Sequence, residues 1–105
     1  MRKNVKPIPE GHHTVTAHLI VRDAARAIEF HKIAFGAEEQ IRMPGPGEKI
    51  MHAALKIGDS LLFLCDEFLE WGARSPLSLG GTGVSMHLYV EDADRAFSRA
   101  VNAGA

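Results

Sequence analysis

The sequence predicts an α+β fold of paired βαβββ modules, the second truncated after its helix. Three observations carry this. Residues 15–28 return as residues 84–97, with eight of the fourteen paired positions identical. Each copy alternates apolar and polar residues through its first half and then switches to helical spacing, so the unit is a strand running into a helix. Finally, the first copy continues through further alternating segments separated by turn signals, which reads as an antiparallel meander.

Taken in order, residues 1–13 begin basic, carry Pro7 and Pro9, and form an N-terminal arm. The first module spans 14–66. In its first strand Val15, Ala17, Leu19 and Val21 face one side, and Thr14, Thr16, His18 and Ile20 the other. Asp23 has the chemistry of an N-cap, since a carboxylate can accept from the free amides of the first turn. Ala24, Ala27, Ile28, His31 and Phe35 then make a helical face that Gly36 closes. A short strand over 38–43 meets a turn at Pro44, Gly45, Pro46 and Gly47. Residues 49–57 alternate, with Met51, Ala53, Leu55 and Ile57 against His52, Ala54 and Lys56. Gly58 and Asp59 make a hairpin signal before the last strand, 60–66.

Residues 67–83, with Trp71, Gly72, Pro76 and the run Gly80 to Gly83, show no sustained period and read as the connection. The second module occupies 84–105: Met86, Leu88 and Val90 face its helix, Ser85, His87 and Tyr89 face away, Asp92 caps, and Ala93, Ala96, Phe97 and Ala100 form the stripe. Only nine residues follow Ala96, too few for three meander strands. The expectation is a fragment of a longer protein, with completion by another copy as the alternative; an unpaired half-sheet leaves exposed edges.

Composition bounds the function. Net charge is −1 and the basic residues are scattered, which does not favour nucleic acid as a partner. No apolar run approaches the roughly 20 residues that span a bilayer, and no signal peptide is read before the first strand. The single cysteine, Cys65, lies in an apolar strand and fits inert packing in a reducing, cytoplasmic setting. The run Gly80 to Gly83 lacks the lysine and hydroxyl of a phosphate loop and leads into a strand.

The run 14–24, the stretch 27–38 and the segment 66–76 resemble the PhnB-like branch of the vicinal oxygen chelate superfamily, which holds glyoxalases, bleomycin-resistance proteins and ring-cleaving dioxygenases. The resemblance covers nearly the whole chain after the arm. It implies two βαβββ modules curled around a cleft, commonly a divalent metal such as Zn, Ni, Mn or Fe, and commonly a homodimer. Metal-binding relatives place a ligand early in each module's first strand, and those positions fall here on Thr16 and Ser85, which are poor ligands beside histidine or carboxylate. His18 and His87 sit two residues further on, hence on the same strand face, and with Asp66 they are the candidate metal ligands.

Thr16, His18, His52, Trp71, Ser85, His87 and Tyr89 are the candidate cleft residues. His31 takes a stripe position where relatives usually carry tyrosine, so packing is its expected role, and His12 and His13 are expected in solvent. Asp66, Glu67 and Glu70 form an acidic cluster beside Trp71, read either as a solvated loop face or as acid–base or metal chemistry. Three functions are weighed. The first is a binder of a small organic molecule in the intermodule cleft. The second is a metal-dependent lyase, isomerase or dioxygenase in which the ion polarises two neighbouring substrate oxygens. The third is an inactive fragment needing a partner chain or further strands.

Overall fold

The structure, a computed structural model, describes residues 6–105. β1 (His18–Val21) leads into α1 (Ala24–Phe35), followed by β2 (Glu38–Pro44), β3 (Ile50–Ile57) and β4 (Ser60–Asp66), which is the βαβββ order the sequence predicts. The four strands form one sheet in the order β1-β4-β3-β2. β1 runs parallel to β4, and the other two pairings are antiparallel. The crossover helix α1 packs against all four strands on one face of the sheet.

Local chemistry explains α1. The Asp23 carboxylate accepts from the Arg26 amide at 3.2 Å, and Gly36 closes the helix at φ 68°, a left-handed conformation that costs glycine little. Ala24 and Ile28 pack into a core with Ala37, Ile50, Ala53, Leu55 and Leu64, flanked by Leu19, Val21 and Ile57. The helix comes close because Ala24 and Ala53, both fully buried in this cluster, carry only methyl groups.

Ile50, not Met51, is the buried residue at the start of β3, and Met51 is 42% exposed. The register shift between Met43 and Pro44 breaks the alternation there, because an extra residue on one strand turns its neighbours over. The first strand is likewise shorter than its pattern: Val15 is exposed, and ladder bonding begins with the Ala17 carbonyl, which accepts from the Phe63 amide.

The second copy keeps the helix and loses the strand. α3 (Ala93–Asn102) is capped by Asp92, whose carboxylate accepts from the Arg95 amide at 3.0 Å, as Asp23 does in the first copy. Residues 84–90, expected as a strand, pair with nothing among the described residues and are exposed throughout. A cap needs only its own helix, whereas a strand needs a neighbour to bond its amides and carbonyls. The stripe on α3 is therefore thinly covered, with Phe97 71% exposed. α3 is held to α1 by Arg99, whose Nε donates to the Ile33 carbonyl at 2.7 Å, near the negative end of that helix. The connection also carries more order than its sequence shows: a 3-10 turn at Leu69–Trp71 and the short helix α2 (Pro76–Leu79), capped by Ser75.

Asp66 ties the module together. Its buried carboxylate accepts from the Ala24 amide at 2.9 Å and from the Ile50 amide at 2.7 Å, joining the end of β4 to the start of α1 and the start of β3. Replacing Asp66 with alanine strands two buried donors and should cost about 3 kcal/mol in urea unfolding. An asparagine side chain there would accept from only one amide and turn its NH2 towards the other, so Asp66→Asn should lose nearly as much. A D66N chain of unchanged stability would show that the bridge is idle.

Candidate functional site

The face of the sheet opposite α1 gathers the ring side chains. Register places His18 beside Phe63, Phe63 beside Ala54, and His52 beside Met43, all on this face because partners across a ladder share a side. The His52 ring lies 4.8 Å from Phe63 and 5.7 Å from His18, both edge-on, and His18 lies 6.0 Å from Phe63. The arm adds His12, 6.0 Å from Phe63. Ile41 and Met43, each 47% exposed, extend the apolar surface along β2. Partial burial first, and the neighbouring His52 second, hold the His18 imidazole below its ordinary pKa, so it is neutral at pH 7.

His18 and His52 are thus brought together, and Asp66, Trp71, His87 and Tyr89 lie elsewhere. Thr16 precedes β1 and is half-buried. His87 lies 4.9 Å from Tyr89 in the unpaired segment, and both line a groove with Leu19, His31, Phe35 and Phe97. Leu19 alternates to the opposite face from His18, so His87 and His18 serve different surfaces. Ser85 and Tyr89 are exposed. Trp71 stacks on Phe68 at 4.6 Å and an interplanar angle of 24°, with the Lys49 ammonium 5.1 Å from the Phe68 ring, so it anchors the connection. His31 packs as expected: its Nδ1 donates to the Ala27 carbonyl at 2.6 Å, which fixes the proton on that nitrogen because a carbonyl only accepts. Cys65 is buried, and burial, followed by the Asp66 charge, raises its thiol pKa, which keeps it inert.

The metal set does not fit. Asp66 spends both oxygens on backbone amides, His87 is on another surface from His18, and no three His, Cys, Asp or Glu side chains converge on an ion position among the described residues. The acidic cluster resolves the same way. Glu67 accepts from the Ser78 hydroxyl at 2.6 Å, the Ser75 amide at 3.1 Å and Arg22 Nε at 3.3 Å, which locks α2 against the end of β1. Those donors, Ser78 first, lower its pKa to about 2. Glu70 is exposed. Phe63 is the member of the site that residue chemistry alone overlooks; its alternation within the last strand, outward between two inward leucines, was the signal available.

A single-helix βαβββ sheet with one face uncovered defines the class of protein. The sequence pattern of the Glyoxalase/Bleomycin resistance protein/Dioxygenase superfamily matches residues 11–105, and the chain belongs to that superfamily. Its whole length is 46% identical to the protein Mb0911c of Mycobacterium bovis and to Rv0887c of Mycobacterium tuberculosis, spanning 67% and 60% of those relatives. Among solved structures it is similar to a gene product of Arabidopsis thaliana (28% identity, TM-score 0.71, 88% of this chain and 73% of that one). It is also similar to TioX from Micromonospora sp. (26%, 0.58, 89% and 71%). The fosfomycin resistance protein FosX from Mesorhizobium loti shares the fold (19%, 0.54, 88% and 70%).

Two titrations check this geometry. Glu67 has a folded pKa of about 2 against an ordinary 4.5, so its contribution is complete above about pH 4.5 and lost as pH falls towards 2. Glu67→Gln should flatten the stability curve across that window; an unchanged curve would place the acid sensitivity elsewhere. By NMR, His18 should titrate below 6.5, and in His52→Gln its midpoint should rise only part of the way back, since burial is the larger cause.

Proposed function

We propose that this protein is a PhnB-like member of the superfamily that binds a small organic molecule against the open face of its sheet, without a metal ion among its own side chains. The observation that carries the reading is the gathering of His18, His52 and Phe63 on a face where Ile41 and Met43 remain exposed. A flat aromatic or apolar body would lie on Phe63 and Met43, and the imidazoles would supply one donor or acceptor each. A homodimer is part of the same reading, because a second sheet facing this one would turn an open face into a cleft. We place the protein in the cytoplasm, in keeping with its one buried free thiol; no helix among the described residues is long and apolar enough to cross a membrane.

Titrating a set of small aromatic molecules into isotope-labelled protein should move the resonances of Met43, Ala54 and Phe63 and leave Ile28 and Leu55 in place, with or without a chelator. Phe63→Ser should weaken binding about fivefold, the loss of one aromatic contact. Shifts confined to Phe97 and His87, or binding abolished by the chelator, would overturn the reading.

A further inference from the structure

The central part of the open face is built from His18 and Ile20 on β1, Leu61, Phe63 and Cys65 on β4, His52 and Ala54 on β3, and Ile41 and Met43 on β2. None of these carries an acid. Asp66 and Glu67 follow directly in sequence, but their carboxylates are spent on backbone amides, hydroxyls and Arg22. The arm contributes His12, whose Nδ1 lies 3.2 Å from the Glu10 backbone carbonyl. At the sheet's far end Lys56 stands opposite Glu38 across the β2–β3 ladder, so the charges there are of opposite sign. Cys65 stays a neutral thiol. Among the described residues the titratable side chains at the centre are therefore, besides that thiol, imidazoles from three separate elements, around one phenyl ring.

Resting on the small-molecule reading above, we propose that this site selects organic anions, planar acids whose carboxylate or like group sits between His18 and His52 while the apolar body lies on Phe63. Two imidazoles with centroids 5.7 Å apart repel each other when both are protonated, so the pair resists its second proton until a negative group stands between them. An anion removes that penalty and accepts an N–H from each ring, one per oxygen, in charge-assisted bonds. A neutral ligand gains nothing from protonation, and a cation is repelled by it. Anion binding is consequently coupled to proton uptake. His18, partly desolvated beside His52, is held below its ordinary pKa and so has room to take up a proton when the anion arrives.

The probes are phenylacetate and its neutral isostere phenylacetamide, titrated calorimetrically and by NMR into the full chain at about pH 6 and about pH 8. Phenylacetate should bind about tenfold or more tightly at the lower pH, with proton uptake read from buffers of different ionisation enthalpy, and the His18 and His52 ring signals should move to their protonated positions. Phenylacetamide should bind weakly and alike at both values. His18→Gln with His52→Gln keeps the face polar and should bring phenylacetate to the level of the amide; unshifted core methyls of Leu55 and Leu64 report that this variant is folded. Equal, pH-independent binding of acid and amide, still shifting Phe63, would overturn the anion preference and leave small-molecule binding standing. No shift at His18, His52 or Phe63 with either probe would overturn both.

Discussion

The buried carboxylate of Asp66 is the constraint on which the module depends. It sits where β4 ends, where α1 begins and where β3 begins, and it gives one oxygen to each of the two amides that meet there. A helix start and a strand start pressed into a protein interior leave donors that water cannot reach. One acceptor with two separate oxygens satisfies both and fixes their spacing to within a bond length. Since β1 and β4 run parallel and end together, with Val21 opposite Asp66, the crossover helix leaves towards the face that holds this carboxylate. Everything on the other face follows by alternation, counted back from Asp66: Leu64 and Leu62 inward, Cys65, Phe63 and Leu61 outward.

That geometry divides the chemistry of the chain between two sides. The acids near the end of β4 serve as structural acceptors: Asp66 for backbone amides, Glu67 for Ser75, Ser78 and Arg22. The outward side is left with imidazoles and apolar groups, and the oxygens of Asp66 and Glu67 are not turned to it. An acid-rich segment beside a tryptophan invites a catalytic reading from sequence, and here the oxygens of Asp66 and Glu67 are already occupied by the protein's own donors.

The two copies of the repeat show what is local and what is not. Asp23 and Asp92 cap their helices in the same way, each through the amide three residues on. The strands that precede them do not behave alike. Residues 18–21 lie in a sheet because β4 lies beside them, and residues 84–90 have the same alternation with no neighbour among the described residues. The paired histidines part for the same reason: His18 is held against Phe63 by register, and His87 rests against Tyr89 beside a groove on the helix side.

Period, caps and turn residues therefore made the βαβββ order, the limits of α1 and the position of β4 readable in the sequence, because each depends on residues within a turn or two of one another. The superfamily was readable for the same reason, through the repeat and the strand-to-helix motif. The site was legible only in part. His18 and His52 were identifiable as candidates, but their meeting over Phe63 depends on the pairing of β1 with β4 and of β4 with β3, contacts between residues far apart in the chain. The roles of Asp66 and Glu67 were likewise closed to sequence, since an acid's function is set by which donors the fold brings to it. Local pattern thus specifies the elements and their order. Which side chains share a face is settled in three dimensions, because register and crossover direction depend on long-range packing that no local pattern encodes.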